Sequence, residues 1–457
     1  MKRYRNFLLF LLTGMILLYV MYRTIMAGRS FDNNNTKTTY QGVSNGFDSF
    51  SESMTHGINS PLAKLLLQMI VIILVSRIFG ALFREIHQPS VIGEVIAGIC
   101  LGPSLCGLIF PSFSSFLFPI DSLGHLQVLS QLGLVLFMFV VGMELDLGIL
   151  RSGAGKALGI SIAGIIFPFM LGMVLSYFLF REYGNARSGF LPFSLFIGVA
   201  MSITAFPVLA RIIKERKLGL TRIGNLAIAC AAFGDITGWC ILAAVISIAK
   251  AGSMVGAIFP LFMAIFYIIL MFLVVKPFLE RISQDKNMLA IMFCVLLASA
   301  AFTELIGVHA LFGAFIAGAL APSKKIFRLA LIEKTEYVSV TLLLPLFFAF
   351  SGLRTQIGLL SSSHSWLIFL LILIAAIVGK LGGTFIASRL VGENSKDSLV
   401  LGALLNTRGL MELVVLNIGY DLGIISQQIF TALVLMALLT TCMTGPILNW
   451  LLRPGHE

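Results

Sequence analysis

The chain has 457 residues, of which 58% are hydrophobic and only 12% are charged, and its formal net charge is +11 at pH 7. A water-soluble domain of this length could not bury so much apolar surface, so the composition predicts a polytopic membrane protein. In a soluble protein the basic excess would suggest nucleic acid as a partner. Here the preference of membrane proteins for Lys and Arg on the cytoplasmic side explains it, and we predict no nucleic-acid partner.

The first 60 residues differ from the rest of the chain. Residues 1–28 begin with basic residues and continue with the apolar run Phe7–Val20, which is typical of a signal peptide or an uncleaved signal anchor. Residues 29–60 are rich in Asn, Ser, Thr and Gly, and we expect them to form an extracytoplasmic polar linker.

Residues 61–453 are predicted to form one membrane domain of thirteen apolar segments, with both core and dimerisation parts. The segments cover residues 62–84, 90–110, 126–146, 156–180, 191–213, 223–249, 253–279, 287–307, 309–322, 336–353, 365–391, 397–418 and 426–452. The ninth is too short to span a bilayer by itself. With the polar linker outside, eighteen Lys and Arg residues fall in inside loops and seven in outside loops. This bias predicts a cytoplasmic C-terminus, and we expect no C-terminal regulatory domain.

The dispersed cysteines and histidines do not have the spacing of metal ligands. We find no P-loop, HExxH motif or nucleophile elbow, so the sequence predicts neither an enzyme nor a bound cofactor.

One acid lies near the middle of an apolar segment. Asp235 is the only charged residue in Leu226–Ala249, a stretch long enough to cross a bilayer. A carboxylate at that depth costs about 2.5–3.5 kcal/mol on insertion scales, so such residues usually face a cavity and carry ions or protons. The alternative is a neutral aspartic acid that joins two helices by a hydrogen bond.

Polar residues interrupt two other segments, the fifth and the twelfth. The interrupting residues are Ser202, Thr204 and Pro207 in the fifth, and Asn406, Thr407, Arg408 and Gly409 in the twelfth. Proline prevents a helix from closing across it, and nearby hydroxyls satisfy the freed backbone groups. Each interruption alone fits a simple kink. Because they lie seven segments apart, the two helices run in opposite directions, and such a pair indicates an inverted-repeat secondary transporter.

Lys380 lies one segment before the second interruption, as Asp235 lies one segment after the first. It is too deep in Trp366–Leu390 for easy snorkelling to the membrane surface, so we predict a functional role.

Three further acids are secondary candidates. Glu412 lies four residues after Arg408, which favours a structural ion pair. Glu304 fits either a packing partner or a residue of a proton pathway, and Glu94 lies in the second segment. His309 is expected to be a satisfied interfacial histidine that can tune the response to pH.

These polar residues, in this order, resemble the monovalent cation:proton antiporter-2 family of the sodium/hydrogen exchanger superfamily. That family includes glutathione-gated potassium efflux systems and plant cation/H⁺ exchangers. The matching stretches are Gln88–Ser104, Leu132–Asp146, Ser202–Ile213, Gly234–Trp239, Thr303–Pro322, Pro345–Thr355, Gly379–Gly383 and Asn406–Gly419.

The resemblance implies an all-α polytopic membrane protein with the sodium/proton-antiporter fold, inverted repeats and two crossing broken helices. It implies a homodimer, with Asp235 as the ion-binding aspartate and Lys380 as the membrane-embedded lysine. Many members carry Asp, Asn or Gln immediately before the aspartate, whereas this chain has Gly234. A lone carboxylate favours electroneutral one-for-one exchange.

We therefore predict an antiporter that exchanges K⁺ or Na⁺ for protons by competition at Asp235, in a bacterial inner membrane. Lys380 is expected to release Asp235 when the cation arrives. The hydroxyls of Ser202, Thr204 and Thr237 are expected to replace part of the water around the cation. Two other interpretations stay open: a sodium-coupled symporter of an organic solute, and a membrane sensor or assembly protein that kept the fold without transport.

Overall fold

The computed structural model describes residues 60–144, 154–184, 189–251, 254–282, 288–322 and 325–452, together with Tyr19, Val20, Arg23 and Gly57. The described chain is almost entirely helical. Its α-helices, numbered in chain order, are α1 Pro61–Glu85, α2 Ser90–Leu101, α3 Cys106–Ile109, α4 Pro111–Leu117, α5 Ile120–Glu144, α6 Ala154–Tyr183, α7 Phe190–Ser202, α8 Phe206–Glu215, α9 Arg222–Ala251, α10 Met254–Leu270, α11 Lys276–Arg281, α12 Met288–Leu305, α13 Ala310–Ala319, α14 Lys325–Val338, α15 Leu344–Leu353, α16 Ser363–Ile377, α17 Gly383–Leu390, α18 Ser395–Leu405, α19 Leu410–Asp421 and α20 Gln427–Leu451. Three π-helical stretches, Met271–Val275, Ser339–Leu343 and Val378–Gly382, and the 3₁₀ turns Leu218–Leu220 and Ile357–Leu359 complete the described elements.

Each predicted apolar segment contains one or more of these helices, and α4 lies between the second and third segments. Within the described residues, 11 helical stretches are long and apolar enough to cross a membrane, and the bent pair α18–α19 brings the number to 12. The prediction of an all-helical membrane protein is confirmed. The remaining predicted segment, the ninth, is the short apolar helix α13.

Helix α13 packs directly against α5. A Cβ on Gly318 would lie 2.0 Å from the carbonyl oxygen of Phe139, and one on Gly142 would lie 2.2 Å from that of Phe315. Contacts this close between backbones are possible only with small residues, which are typical of helix packing in membranes. The ten-residue helix is therefore held by the bundle.

The predicted N-terminal segment and polar linker lie outside the described residues, apart from Tyr19, Val20, Arg23, Gly57 and Ser60. The division of the membrane domain into core and dimerisation parts stays a prediction.

The first broken helix consists of α7 and α8. Ile203 leaves the helical conformation with φ −68° and ψ 142°, and the chain becomes helical again at Phe206. Pro207 lies in the first turn of α8, where the missing N–H costs nothing because this turn has no intrahelical acceptor. The interruption predicted from Pro207 thus coincides with a short extended stretch.

The second broken helix consists of α18 and α19, whose axes differ by 45°. The two broken helices touch where they are interrupted. The Ala205 N–H donates to the Thr407 carbonyl at 3.0 Å, and the Thr204 hydroxyl donates to the Leu405 carbonyl at 3.1 Å. Gly409 passes so close that a Cβ there would lie 2.9 Å from Val208 Cγ2. The predicted crossing of two broken helices is therefore present.

Candidate functional site

The C-terminal end of α7 lies at the centre of the crossing and is capped by two cations. The carbonyls of the last helical residues accept no hydrogen bond from an N–H of the same helix, and together they carry partial negative charge. Arg408 donates to the carbonyls of Ala200 and Met201 at 2.8 and 2.6 Å. Lys380 donates to the carbonyl of Ser202. Both basic side chains are fully buried, so they replace the water that would otherwise solvate this helix end.

The C-terminal end of α18 is capped by hydroxyl groups. Thr407 donates to the Leu404 carbonyl at 2.7 Å and Thr444, on α20, to the Ala403 carbonyl at 3.4 Å. Together with the bond from Thr204, these contacts satisfy the helix end without a charge. The two halves of the crossing are therefore electrostatically different.

Glu412 balances Arg408. Its Oε1 lies 3.0 Å from Arg408 Nη1, and both side chains are 0% exposed. Glu412 also lies in the first turn of α19, where the helix dipole favours an anion. The ion pair expected from their i, i+4 spacing is present, and Glu412 Oε2 has no further hydrogen-bond partner.

Asp235, in the middle of α9, is the second buried acid at the crossing. It is 6% exposed, and by the geometric criteria for a hydrogen bond neither of its carboxylate oxygens has a partner among the described residues. The Lys380 ammonium and the Phe206 backbone N–H, at the start of α8, lie close enough to act on its charge. An unpaired carboxylate is not stable at this depth, because desolvation costs far more than distant charges return. The ion-binding role expected for Asp235 stays a prediction.

Asp235 faces a cavity of about 10 Å³, which is the volume needed for roughly one water molecule. Its other lining residues are Ile203, Gly234, Gly238, Trp239, Leu242, Met411 and Val415. The cavity joins the first break, the middle of α9 and the first turns of α19. A dehydrated monovalent cation is comparable in size to the water that fits this space.

Lys380 bonds to a backbone carbonyl. Its ammonium donates to the Ser202 carbonyl, and among the described residues the oxygens of Asp235 have no hydrogen-bond partner. The predicted release of Asp235 by Lys380 when the cation arrives stays a prediction. The carbonyl end of α7 offers Lys380 an acceptor within the crossing itself. Lys380 lies on the π-helical turn Val378–Gly382, a type of distortion that is frequent at functional sites.

The predicted hydroxyl ligands lie at different places. Ser202 and Thr204 are at the first break, but their hydroxyls donate to Val199 at 2.9 Å and to Leu405. Their oxygen lone pairs stay available to a cation. Thr237 does not line the cavity, because residues two apart on a helix point to different faces.

The remaining candidates lie away from Asp235. The side chain of Glu94 lies beside Gly80 on α1. Glu304 is half exposed, accepts from the Ala310 N–H at 2.9 Å and pairs with Lys250 at 3.7 Å. His309 precedes α13 and accepts from Leu311 N–H at 3.4 Å, as expected for a satisfied histidine. Glu304 and His309 both line a second cavity of about 340 Å³.

Asn406, a predicted residue of the second interruption, is buried, and its Oδ1 has no hydrogen-bond partner among the described residues. Sequence reasoning missed one part of the site. Thr441, on α20, accepts from the Arg408 N–H at 3.0 Å and donates to the Arg408 carbonyl at 2.7 Å, and so fixes the break. Thr441 could have been noticed as a polar residue in an apolar segment. Thr440 and Thr444 in the same helix have this property too, so the sequence does not single out Thr441.

Two crossing broken helices around a buried acid define a secondary transporter of the membrane. The chain belongs to the sodium/hydrogen exchanger family: residues 70–453 match the family described as sodium/hydrogen exchanger, transmembrane. The resemblance drawn from the sequence motifs is thereby confirmed.

Several characterised proteins are similar along most of this chain. Na(+)/H(+) antiporter NhaS4 of Synechocystis is 42% identical over 395 residues, which are 84% of this chain and 96% of that protein. Cation/H(+) antiporter 17 of Arabidopsis thaliana is 38% identical over 91% of this chain. K(+)/H(+) antiporter 1 of Saccharomyces cerevisiae is 35% identical over 90% of it. The matched regions are 51% and 48% of these last two proteins, so the chain spans about half their length.

A solved structure supports the fold. The sodium proton antiporter MjNhaP1 of Methanocaldococcus jannaschii superimposes with a TM-score of 0.67 at 13% identity, over 85% of this chain and 98% of that one. The predicted antiporter fold is confirmed.

Proposed function

We propose that this protein exchanges a monovalent cation, Na⁺ or K⁺, for protons across a membrane, with Asp235 as the shared binding group. The observation that carries the proposal is the Asp235 carboxylate, which is buried, unpartnered and directed into a cavity for about one water molecule. Membership of an exchanger family and the names of the relatives support the same activity.

The mechanism follows from the cost of burying a charge. Protonated Asp235 is neutral, and Asp235 with Na⁺ or K⁺ is also neutral, so both forms can cross a low-dielectric barrier. The bare carboxylate cannot. Proton and cation therefore compete for one group, and each crossing in one direction is coupled to the return of the other ion.

The cation needs more oxygen ligands than one carboxylate provides, since it gives up its water on entering. We propose that two kinds of group at the breaks supply these oxygens. They are the backbone carbonyls freed there and the hydroxyl lone pairs of Ser202 and Thr204. Lys380 keeps the Ser202 carbonyl occupied when no cation is bound, and we propose that it leaves this carbonyl when the cation arrives.

The lone carboxylate beside Gly234 favours one proton for one cation and therefore electroneutral exchange. We further propose that the protein works as a homodimer in a bacterial inner membrane, with its C-terminus in the cytoplasm. The basic loops support this orientation. The proposal includes no enzymatic activity.

The test uses proteoliposomes that contain a pH-sensitive dye, with Na⁺ and K⁺ added separately. The unaltered protein should move protons when one of the cations is added, and Asp235→Asn should abolish the response. The control is Asp121→Asn, the same change at an exposed acid on α5, which should leave the response unchanged. Gel filtration of the detergent-purified variants establishes that both are folded.

Two outcomes would contradict the proposal. Exchange that persists in Asp235→Asn places the coupling elsewhere. Folded protein that moves protons with neither cation favours the alternatives: sodium-dependent uptake of an organic solute would indicate a symporter, and no transport would indicate a sensor or assembly protein.

A further inference from the structure

Buried hydroxyl groups follow Lys380 along its own helical run. Thr384 and Ser388 lie four and eight residues after Lys380, on successive turns of α17, and are 0% exposed. Ser398, on the neighbouring helix α18, is also 0% exposed. Among the residues that the structure describes, none is a hydrogen-bond partner of these three hydroxyl oxygens.

Most buried polar side-chain atoms have a hydrogen-bond partner. A buried Ser or Thr on a helix can find one in the carbonyl four residues earlier. In this chain Ser130 donates to Leu126 at 2.7 Å, and Thr440 donates to Met436 at 2.8 Å. Thr384, Ser388 and Ser398 do not, so their hydrogen-bonding capacity is left for another molecule, and the smallest that fits a buried position is water.

One end of this hydroxyl line reaches the helix of Asp235. Ser161 of α6 is buried, and its Oγ lies 3.5 Å from the position that a Cβ on Gly234 would occupy. Gly234 lines the Asp235 cavity. One turn further along α6, a Cβ on Gly164 would lie 3.1 Å from Thr384 Oγ1. Helix α6 therefore contacts both the Asp235 helix and the Thr384 hydroxyl, with little side-chain volume between them.

The other end reaches the surface through Glu393. The Glu393 N–H donates to the Ser388 carbonyl at 3.0 Å. The Glu393 carboxylate is buried and pairs with Arg222, whose side chain is 66% exposed and also lies 3.6 Å from Asp397. Lys156 is 3.9 Å from Glu393. The line thus ends at a charged cluster in contact with water, on the side that the charge pattern assigns to the cytoplasm.

We propose that Ser388, Thr384 and Ser161 form a proton route through the interior of the bundle, from the Glu393 cluster to Asp235. The inference rests on the proposed exchange at Asp235. Groups four residues apart on a helix are about 6 Å apart along its axis. One bridging water, with two O–H···O contacts of about 2.8 Å each, spans that distance.

Proton transfer along such a route moves no other atom. Each hydroxyl or water oxygen accepts a proton from one side and releases its own proton to the other, and Asp235 accepts the last one. A cation cannot follow, because it would have to pass between closely packed helices. Gly234 then has a role in this chain: a larger side chain at this position would stand between Ser161 and the Asp235 cavity.

The test compares two assays on the Thr384→Val/Ser388→Ala double variant and on Ser161→Ala in proteoliposomes. The first is cation–proton exchange after a pH jump. The second is exchange of isotopically labelled cation for unlabelled cation at equal pH on both sides, which needs the site but no proton delivery. We expect the first rate to fall by about tenfold and the second to stay unchanged.

Ser76→Ala on α1 and Thr335→Val on α14 are matched controls, because they remove buried, unpartnered hydroxyls elsewhere in the bundle. They should leave both rates unchanged. If the double variant does not fold, Thr384→Val and Ser388→Ala are compared singly in the same two assays. Equal losses in both assays, or no loss in either, would overturn the route. Unaltered protein that catalyses neither exchange would instead refute the proposed function.

Discussion

The two helix ends that meet at the crossing are capped by different groups. At each end, carbonyls lack an N–H donor within the helix. The end of α7 receives Lys380 and Arg408, whereas the end of α18 receives the hydroxyls of Thr204, Thr407 and Thr444. One end is bound by charges and the other by neutral groups.

The difference follows from where the acids are. Asp235 and Glu412 lie near the starts of α8 and α19, where a helix favours anions, and the two cations lie at the end of α7, where a helix favours cations. In the cycle that we propose, the neutral end of α18 stays fixed, while the charged end of α7 responds each time Asp235 gains or loses a proton.

The largest effect is expected from Arg408→Ala. It leaves Glu412 buried without its partner and removes the donors from the Ala200 and Met201 carbonyls. Breaking a buried ion pair in this way costs about 3–5 kcal/mol, so the free energy of unfolding should fall by that amount in denaturant titrations of detergent-purified protein.

Arg408→Lys is the control for this prediction. It keeps the charge but cannot bond to two carbonyls and Glu412 with one planar group. Its free energy of unfolding should therefore lie between those of the unaltered protein and Arg408→Ala. If Arg408→Ala unfolds at the same denaturant concentration as the unaltered protein, the capping of α7 by Arg408 contributes nothing to stability.

A smaller effect is expected from Lys380→Met, which leaves the Ser202 carbonyl buried without a donor. The cost of such a group is about 1–3 kcal/mol. Lys380→Gln retains an N–H donor without the charge, and so should recover most of the lost stability in the same titration. Equal stability of the Met and Gln variants would show that the bond to Ser202 is not what Lys380 contributes.

At the neutral end, Thr204→Val removes the hydroxyl that caps α18. The loss of one such hydrogen bond should lower the free energy of unfolding by about 1 kcal/mol, and maximal exchange should persist. Thr440→Val, which removes a bond within α20 alone, is the matched control. A rise in the half-saturating cation concentration for Thr204→Val, but not for Thr440→Val, would identify Thr204 as a cation ligand.

The smallest effect is expected from Thr237→Ala. Thr237 lies on α9 but not on the face that lines the Asp235 cavity. The free energy of unfolding should change by less than about 0.5 kcal/mol, with unchanged exchange. Weaker cation dependence in this variant would restore Thr237 to the ligand role that the sequence predicted.

Much of the crossing could be predicted because its residues break local rules. Asp235 and Lys380 are charged within apolar segments, and Pro207 and Gly409 interrupt helices. What could not be predicted is which atoms meet. The sequence predicted that Lys380 acts on Asp235, but not that it also bonds to a backbone carbonyl. The competing acceptor, the Ser202 carbonyl, becomes free only when α7 ends in the middle of the bundle, and no pattern of side chains reveals that.

The amino-acid sequence by itself determined the class of protein, the helical segments and the identity of the buried acid, since hydrophobicity over about 20 residues and the cost of a buried charge are local properties. The tertiary structure alone decided how the charges are shared. It brought the carbonyls of α7 to Arg408 and Lys380, separated by some 200 residues in the chain. It also left Asp235 without a partner, because hydrogen bonds at a crossing depend on where two chain segments are placed relative to each other.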